Sequence, residues 1–172
     1  ELHSHRARLL KSLNRLPNIM IVTADARRTP FSRNFDRILA DVPCSGTGTL
    51  GRNPEIKWRL KPEDLRDLHL RQMAILKSAL AHLASGGRLV YSTCSLENEE
   101  NEAVVEAALE GQPEFNLVDM KVELEQLHKS GELASERESD YLPSLVTGPY
   151  LRTIPGMHPC DGFFAAMIER AY

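Results

Sequence analysis

The stretch FDRILADVPCSGTG, residues 35–48, decides the fold. Its first nine residues read as an apolar strand that Pro43 stops, because proline has no N–H for the next ladder bond. A cysteine, Cys44, follows at once among Ser and Gly. RLVYSTCS, residues 88–95, has the same construction: an apolar strand runs to Cys94, and Ser95 follows. Two thiols thus stand at equivalent ends of two expected strands. A disulfide, a metal site, core packing and catalysis are four open readings of that pair.

Working outward, ELHSHRARLLKSLNRL at residues 1–16 reads as an amphipathic helix. Leu9, Leu10, Leu13 and Leu16 recur at helical spacing, with Arg6, Arg8, Lys11 and Arg15 on the rest. Residues 18–26, NIMIVTADA, read as a strand running into a loop. Residues 44–61 form a Gly/Pro-punctuated connection long enough to suggest function. Residues 61–87 read as a long helix, with Pro62 in its first turn, Glu63 and Asp64 at its positive end, and Gly86-Gly87 closing it. A third strand leads to Cys94. Asn98 would cap the next helix, which ends at Gly111, and EFNLVDM, residues 114–120, reads as a fourth strand. Residues 121–140 are strongly polar and suggest a short helix and a mobile loop. Residues 148–156 and 161–172 read as a hairpin-like pair of strands.

Alternating β and α units imply a mostly parallel sheet with helices on both faces, and the two late strands add an antiparallel edge. Ligands of such sheets bind beyond the carboxyl ends of the strands. Asp25, Asp41, Cys44 and Cys94 all fall at expected strand ends, which is the first reason to treat them as one site.

Composition sets wider bounds. The 172 residues suffice for one domain, and the 42% hydrophobic and 26% charged shares are those of an ordinary globular protein. No stretch has the length of a membrane span, and no signal-peptide pattern is present. Three cysteines, an odd number, argue against a disulfide framework and for a reducing, cytoplasmic compartment. Net charge is −3, unevenly spread: residues 1–71 carry 14 Lys and Arg against 8 Asp and Glu, whereas residues 72–172 carry 7 against 16. A basic half suits phosphates; an uneven solvated surface is the plainer reading.

The candidate groups have definite chemistry. Carboxylates at successive strand ends, here Glu1, Asp25 and Asp41, can accept hydrogen bonds from ribose hydroxyls or an adenine amino group; a lone one is more often a cap or a loop acid. The two thiols are fifty residues apart in sequence without zinc-ligand spacing, so no metal is expected. Free cysteines are often simply buried. Placed at strand ends beside small residues, a thiolate can instead attack an electron-poor ring carbon.

Residues 35–46 resemble the signature of the RNA 5-methylcytosine methyltransferases of the Nop2/Sun family. Gly48, Arg52, Pro54 and IKWR (residues 56–59) continue the likeness. So do GGRLVYSTCSLENEENEAVVE (86–106) and HPCDGFFAAMIER (158–170), with the small-subunit rRNA enzymes of bacteria as the nearest branch. Two long motifs in the right order over nearly the whole chain make the resemblance specific. It implies a Rossmann-like α/β fold dependent on S-adenosylmethionine, acting on RNA, with small-subunit rRNA as the substrate class. It assigns Cys94 as the nucleophile on cytosine C6 and Cys44 to product release. Asp41 would lie between cofactor and base, while Asp25 and Glu1 would hold the cofactor's adenine and ribose. Arg52, Lys57 and Arg59 would hold RNA backbone, or be merely solvated, and Trp58 would stack on a base, or else pack in the core or anchor its loop.

The chain departs from the family pattern. The glycine-rich cofactor loop is missing, as is the lysine that would face Asp41. Residues 1–172 are therefore expected to be the C-terminal part of a single catalytic domain, with exposed apolar edges and weak cofactor binding. The rival reading is a non-catalytic RNA-binding or ribosome-assembly module with a methyltransferase-like fold. His158 and Cys160 are expected in a surface turn.

Overall fold

The computed structural model describes residues 1–133 and 142–172. Its elements are α1 (Ser4–Leu13), β1 (Phe35–Asp41), α2 (Ile56–Arg59), α3 (Pro62–Leu80), β2 (Leu83–Thr93), α4 (Glu102–Leu109), β3 (Phe115–Val118), α5 (Met120–Lys129), β4 (Val146–Thr147), β5 (Tyr150–Thr153) and β6 (Phe163–Arg170). The loop expected at the end of residues 121–140 falls largely on residues 134–141, which lie outside the described residues.

One sheet organises the chain, in the order β1-β2-β6-β5-β4, with β3 also pairing β6. β6 is its centre. One edge of β6 pairs β2; the other is shared, its start by β5 and its end by β3. Among the described strands, β1 and β2 pair in parallel and the other four pairings are antiparallel. The sheet is thus α/β and Rossmann-like, yet less parallel than expected. The single parallel ladder is the one that aligns the two thiol-bearing strand ends.

Alternation explains the layers. Leu89 and Tyr91 of β2 and Phe164, Ala166 and Ile168 of β6 are buried on one face, in register as Leu89 opposite Ile168 and Tyr91 opposite Ala166. α3 covers that face with Gln72, Leu76 and Leu80, one stripe at i, i+4 spacing, and α4 adds Val104, Val105 and Ala108. A fully buried leucine such as Leu76 contributes roughly 2 kcal/mol by transfer from water. Arg88, out of phase with Leu89, faces the other side and meets Glu123 of α5 at 2.9 Å.

Four local expectations are corrected. Residues 18–26 form no strand: Asn18 lies in a turn and Ala26 opens a 3-10 turn, and in between Ala24 N–H donates to Glu1 O at 3.0 Å. Gly86 and Gly87 do not close α3, which ends at Leu80; they lie inside β2. Asn98 opens a 3-10 turn, Asn98–Glu100, and the residue before α4 is Asn101. The leucine face of α1 is solvent-exposed at Leu9, Leu10 and Leu13, and only Ala7 of that helix is buried. On β1, Leu39 is 70% exposed.

Candidate active site

The parallel register sets Asp41 beside Ser92, so both thiol loops leave the sheet at neighbouring points. Cys44 Sγ and Cys94 Sγ lie 3.0 Å apart, and Cys94 N–H also donates to Cys44 Sγ at 3.3 Å. Both thiols are free and half-buried. Burial, then the hydrogen bond to Cys94 and the charge that Cys94 can carry, push the Cys44 thiol up to about 12 from its ordinary 9.0. Cys44 therefore keeps its proton at neutral pH and can donate it towards the other sulfur.

Beneath the thiols lies a carboxylate that the sequence did not single out. Glu100 is fully buried. Its Oε1 accepts Ser45 N–H at 2.8 Å and Gln72 Nε2–H at 2.8 Å. Its Oε2 accepts Ser95 O–H at 2.5 Å and Ser45 O–H. The Gln72 amide also donates to Pro43 O at 2.9 Å, and Tyr91 O–H donates to the Glu100 backbone carbonyl at 2.6 Å. Neighbouring Asn101 accepts from Thr93 Oγ1 at 2.6 Å and donates to Ser95 O at 2.9 Å. These residues were missed because 97–102 offers four glutamates in six positions, and no periodicity marks the buried one.

The loop after Cys44 is pinned from the far end of the chain. Gly48 N–H donates to Cys94 O at 2.9 Å, and Gly162 N–H donates to Gly48 O at 2.8 Å. A Cβ on Gly48 would sit 2.3 Å from Gly162 O, so only glycine allows this backbone approach. Arg52 pairs with Asp161 across the same junction. It is thus a tie between two loops as well as a surface cation. Lys57 and Arg59 are exposed on α2, and Arg59 lines a cleft of about 320 Å³ together with Cys44, Ser45 and Arg71. Trp58 is 80% exposed, which removes the core role. His158 closes the surface turn that starts at Ile154, whose carbonyl accepts its N–H at 2.9 Å, but its side chain is buried: Ile154 N–H donates to its Nδ1 at 2.9 Å, so Nε2 carries the hydrogen that faces Ser144 Oγ at 3.2 Å. Cys160 is exposed.

The three acidic residues have unequal surroundings. Asp41 is exposed, accepts from Ser92 Oγ at 3.1 Å and has no cation paired to it among the described residues. Asp25 is chelated by Arg27, which holds its carboxyl down at about 2. Glu1 accepts His3 N–H at 2.9 Å, which lowers its carboxyl below the usual range. Backbone bonds tie Glu1 to Val22 and Ala24, and so close to Asp25. A carboxylate set is the right chemistry for the hydroxyl and ammonium donors of S-adenosylmethionine. Asp41 can receive them as it stands, whereas Asp25 must share with Arg27. No cluster of three or more metal-ligating side chains exists among the described residues, and no described helix is long and apolar enough to cross a membrane.

Comparison with known proteins gives the site its context. The probable ribosomal RNA small subunit methyltransferase B of Bacillus subtilis is 32% identical over 176 residues, covering 99% of this chain and 36% of the relative. The ribosomal RNA small subunit methyltransferase B of Klebsiella pneumoniae is 38% identical over 140 residues, 81% of this chain and 27% of the relative. The chain thus spans about a third of such relatives. Among solved structures, PH0851 superposes with a TM-score of 0.77 at 31% identity, over 99% of this chain and 36% of that one. NSun6 from Pyrococcus horikoshii, crystallised with SFG, superposes at 0.75 and 24% identity, over 100% of this chain and 40% of that one, and supports the fold. The family model described as 16S rRNA methyltransferase RsmB/F matches residues 1–169, and the chain belongs to that family.

Proposed function

We propose that this chain supplies the thiol-bearing part of an RNA cytosine-C5 methyltransferase that acts on small-subunit rRNA with S-adenosylmethionine as cofactor. The observation that carries the reading is the 3.0 Å approach of Cys44 and Cys94 at adjacent ends of the parallel strands, with Asp41 alongside. The names of the relatives support the rRNA substrate, and the analogue in NSun6 supports the cofactor.

Cytosine C5 is a poor nucleophile, and covalent addition at C6 cures that. The Cys94 thiolate forms a bond to C6, and the ring electrons shift to make C5 enamine-like. S-adenosylmethionine, when bound, supplies the electrophilic methyl group. Asp41, open at the strand end, would orient the donors of cofactor and base, and Asp25 and Glu1 would take adenine and ribose. Transfer of the C5 proton to a water molecule then re-forms the C5–C6 double bond as the S–C6 bond breaks, its electron pair leaving on the Cys94 sulfur as thiolate. Cys44, which keeps its proton, donates a hydrogen bond to the departing Cys94 sulfur. Arg52, Lys57 and Arg59 would hold the backbone of an unpaired or flipped target, with Trp58 free to stack.

The test uses the full-length protein, methyl-labelled S-adenosylmethionine and small-subunit rRNA. Cys94→Ala is expected to abolish transfer to cytosine C5. Cys44→Ala is expected to accumulate a covalent RNA–protein adduct on a denaturing gel. Transfer that survives Cys94→Ala would sink the reading, and an adduct formed only by Cys94→Ala would make Cys44 the attacking thiol. No transfer by the wild type at all would favour the non-catalytic RNA-binding module.

A further inference from the structure

We infer that Glu100 is the positioning residue for both thiols: one buried carboxylate locks the Cys44 loop to the Cys94 loop and sets the approach of the two sulfurs. The inference rests on the reading of Cys44 and Cys94 as the reacting pair. Its geometric basis stands apart from that reading.

A fully buried carboxylate is costly unless donors surround it. Glu100 has four, and their origin matters. Ser45 directly follows Cys44, and both its N–H and its O–H reach Glu100. Ser95 directly follows Cys94, and its O–H reaches the same Oε2. Gln72, from α3, uses one amide nitrogen to bind Glu100 and the carbonyl of Pro43, the residue before Cys44. The backbone is thus held on both sides of Cys44 and just past Cys94. The two thiols are fifty residues apart in sequence; Glu100 follows Cys94 by six residues in the same connection from β2 to α4, and reaches from there across to the Cys44 loop. Removing the carboxylate takes this acceptor from four donors, two on half-buried Ser45 and two on buried Gln72 and Ser95, and leaves the two loops without their shared anchor.

The arrangement also grades the substitutions. In Glu100→Gln, the amide oxygen can replace Oε1, which faces two N–H donors. The amide nitrogen then faces the Ser45 and Ser95 hydroxyls, which can rotate to accept. Glu100→Gln should therefore be milder than Glu100→Ala, and Ser95→Ala should loosen one loop only.

The experiment measures thiol approach directly in the full-length protein. Diamide, an azodicarboxamide, oxidises two neighbouring thiols: two S–H bonds break, one S–S bond forms, and both hydrogens pass to the N=N group, giving the hydrazine. The rate of Cys44–Cys94 closure is followed by peptide mapping, which separates it from pairs involving Cys160. Thermal unfolding and the kcat and KM for RNA are measured in parallel. Glu100→Ala is expected to slow closure by about tenfold or more well below its unfolding temperature, and to lower kcat with KM nearly unchanged. Glu100→Gln and Ser95→Ala should fall between it and the wild type. His158→Ala removes a buried polar group away from the thiols; it should lower the unfolding temperature and leave closure unchanged. Wild-type closure rates in folded Glu100→Ala, or in both Glu100→Gln and Ser95→Ala if the alanine variant does not fold, would overturn the inference. Slowed closure in a protein without methyl transfer would uphold the positioning role and defeat the proposed function.

Discussion

At the scale of single residues, the two thiols differ because their surroundings differ. Cys44 is held protonated, and two measurements follow. At about pH 9 it should carry on the order of 10²-fold or more less thiolate than an ordinary thiol, so iodoacetamide should label it far more slowly than exposed Cys160. Mass-spectrometric mapping reads the ratio, and equal labelling would refute the shift. The pH effect on stability has a definite sign. A thiol at 9.0 in the unfolded chain and about 12 in the folded one stabilises the fold fully below pH 9.0, and that contribution is lost as pH rises through about 12. Wild type should therefore lose more of its urea midpoint between about pH 8 and 10 than Cys44→Ser. Cys44, Cys94 and Asp41 were legible as a group because thiols and acids at strand ends are chemically conspicuous. Glu100 was not, because its role comes from burial, which a run of similar acids hides.

Elements were legible wherever one periodicity dominated. The stripe of Gln72, Leu76 and Leu80 and the alternation of Leu89 and Tyr91 survive intact in α3 and β2. Residues 18–26 are β-like in composition, but a strand needs a partner strand, and the described backbone hydrogen bonds of this segment go to residue 1 and into the turn from Asp25 to Arg28. The leucines of α1 follow helical spacing without a surface to cover, so amphipathicity gave the helix and not its packing. The junction of Gly48 and Gly162 is a contact between two loops and leaves no periodic trace. It predicts a large effect from a small change. Gly48→Ala places a carbon 2.3 Å from a backbone oxygen and should destabilise by about 3 kcal/mol. Thermal unfolding measures it, and a shift within error would mean that the loops can separate at little cost.

For the whole molecule, the α/β class followed from the order of elements, whereas the balance of parallel and antiparallel pairing did not. That balance depends on which strands flank β6, and strand order is a long-range property that local patterning does not encode. The exposed Leu39 on β1 has a consequence for association. β1 pairs only β2 among the described strands, so its other edge offers a ladder to another chain. Leu39→Lys should raise the concentration at which light scattering begins, with little change in unfolding temperature. Unchanged scattering would show that this edge is not where molecules meet. The position of β6 matters in time as well as in space. It follows the other described strands in sequence, and β2, β3 and β5 all pair with it. Both thiol loops precede β6 in sequence, and the Cys44 loop cannot be pinned through Gly48 until Gly162 has been made. During synthesis, therefore, the two sulfurs exist for a time without the backbone clasp that later fixes their loops together.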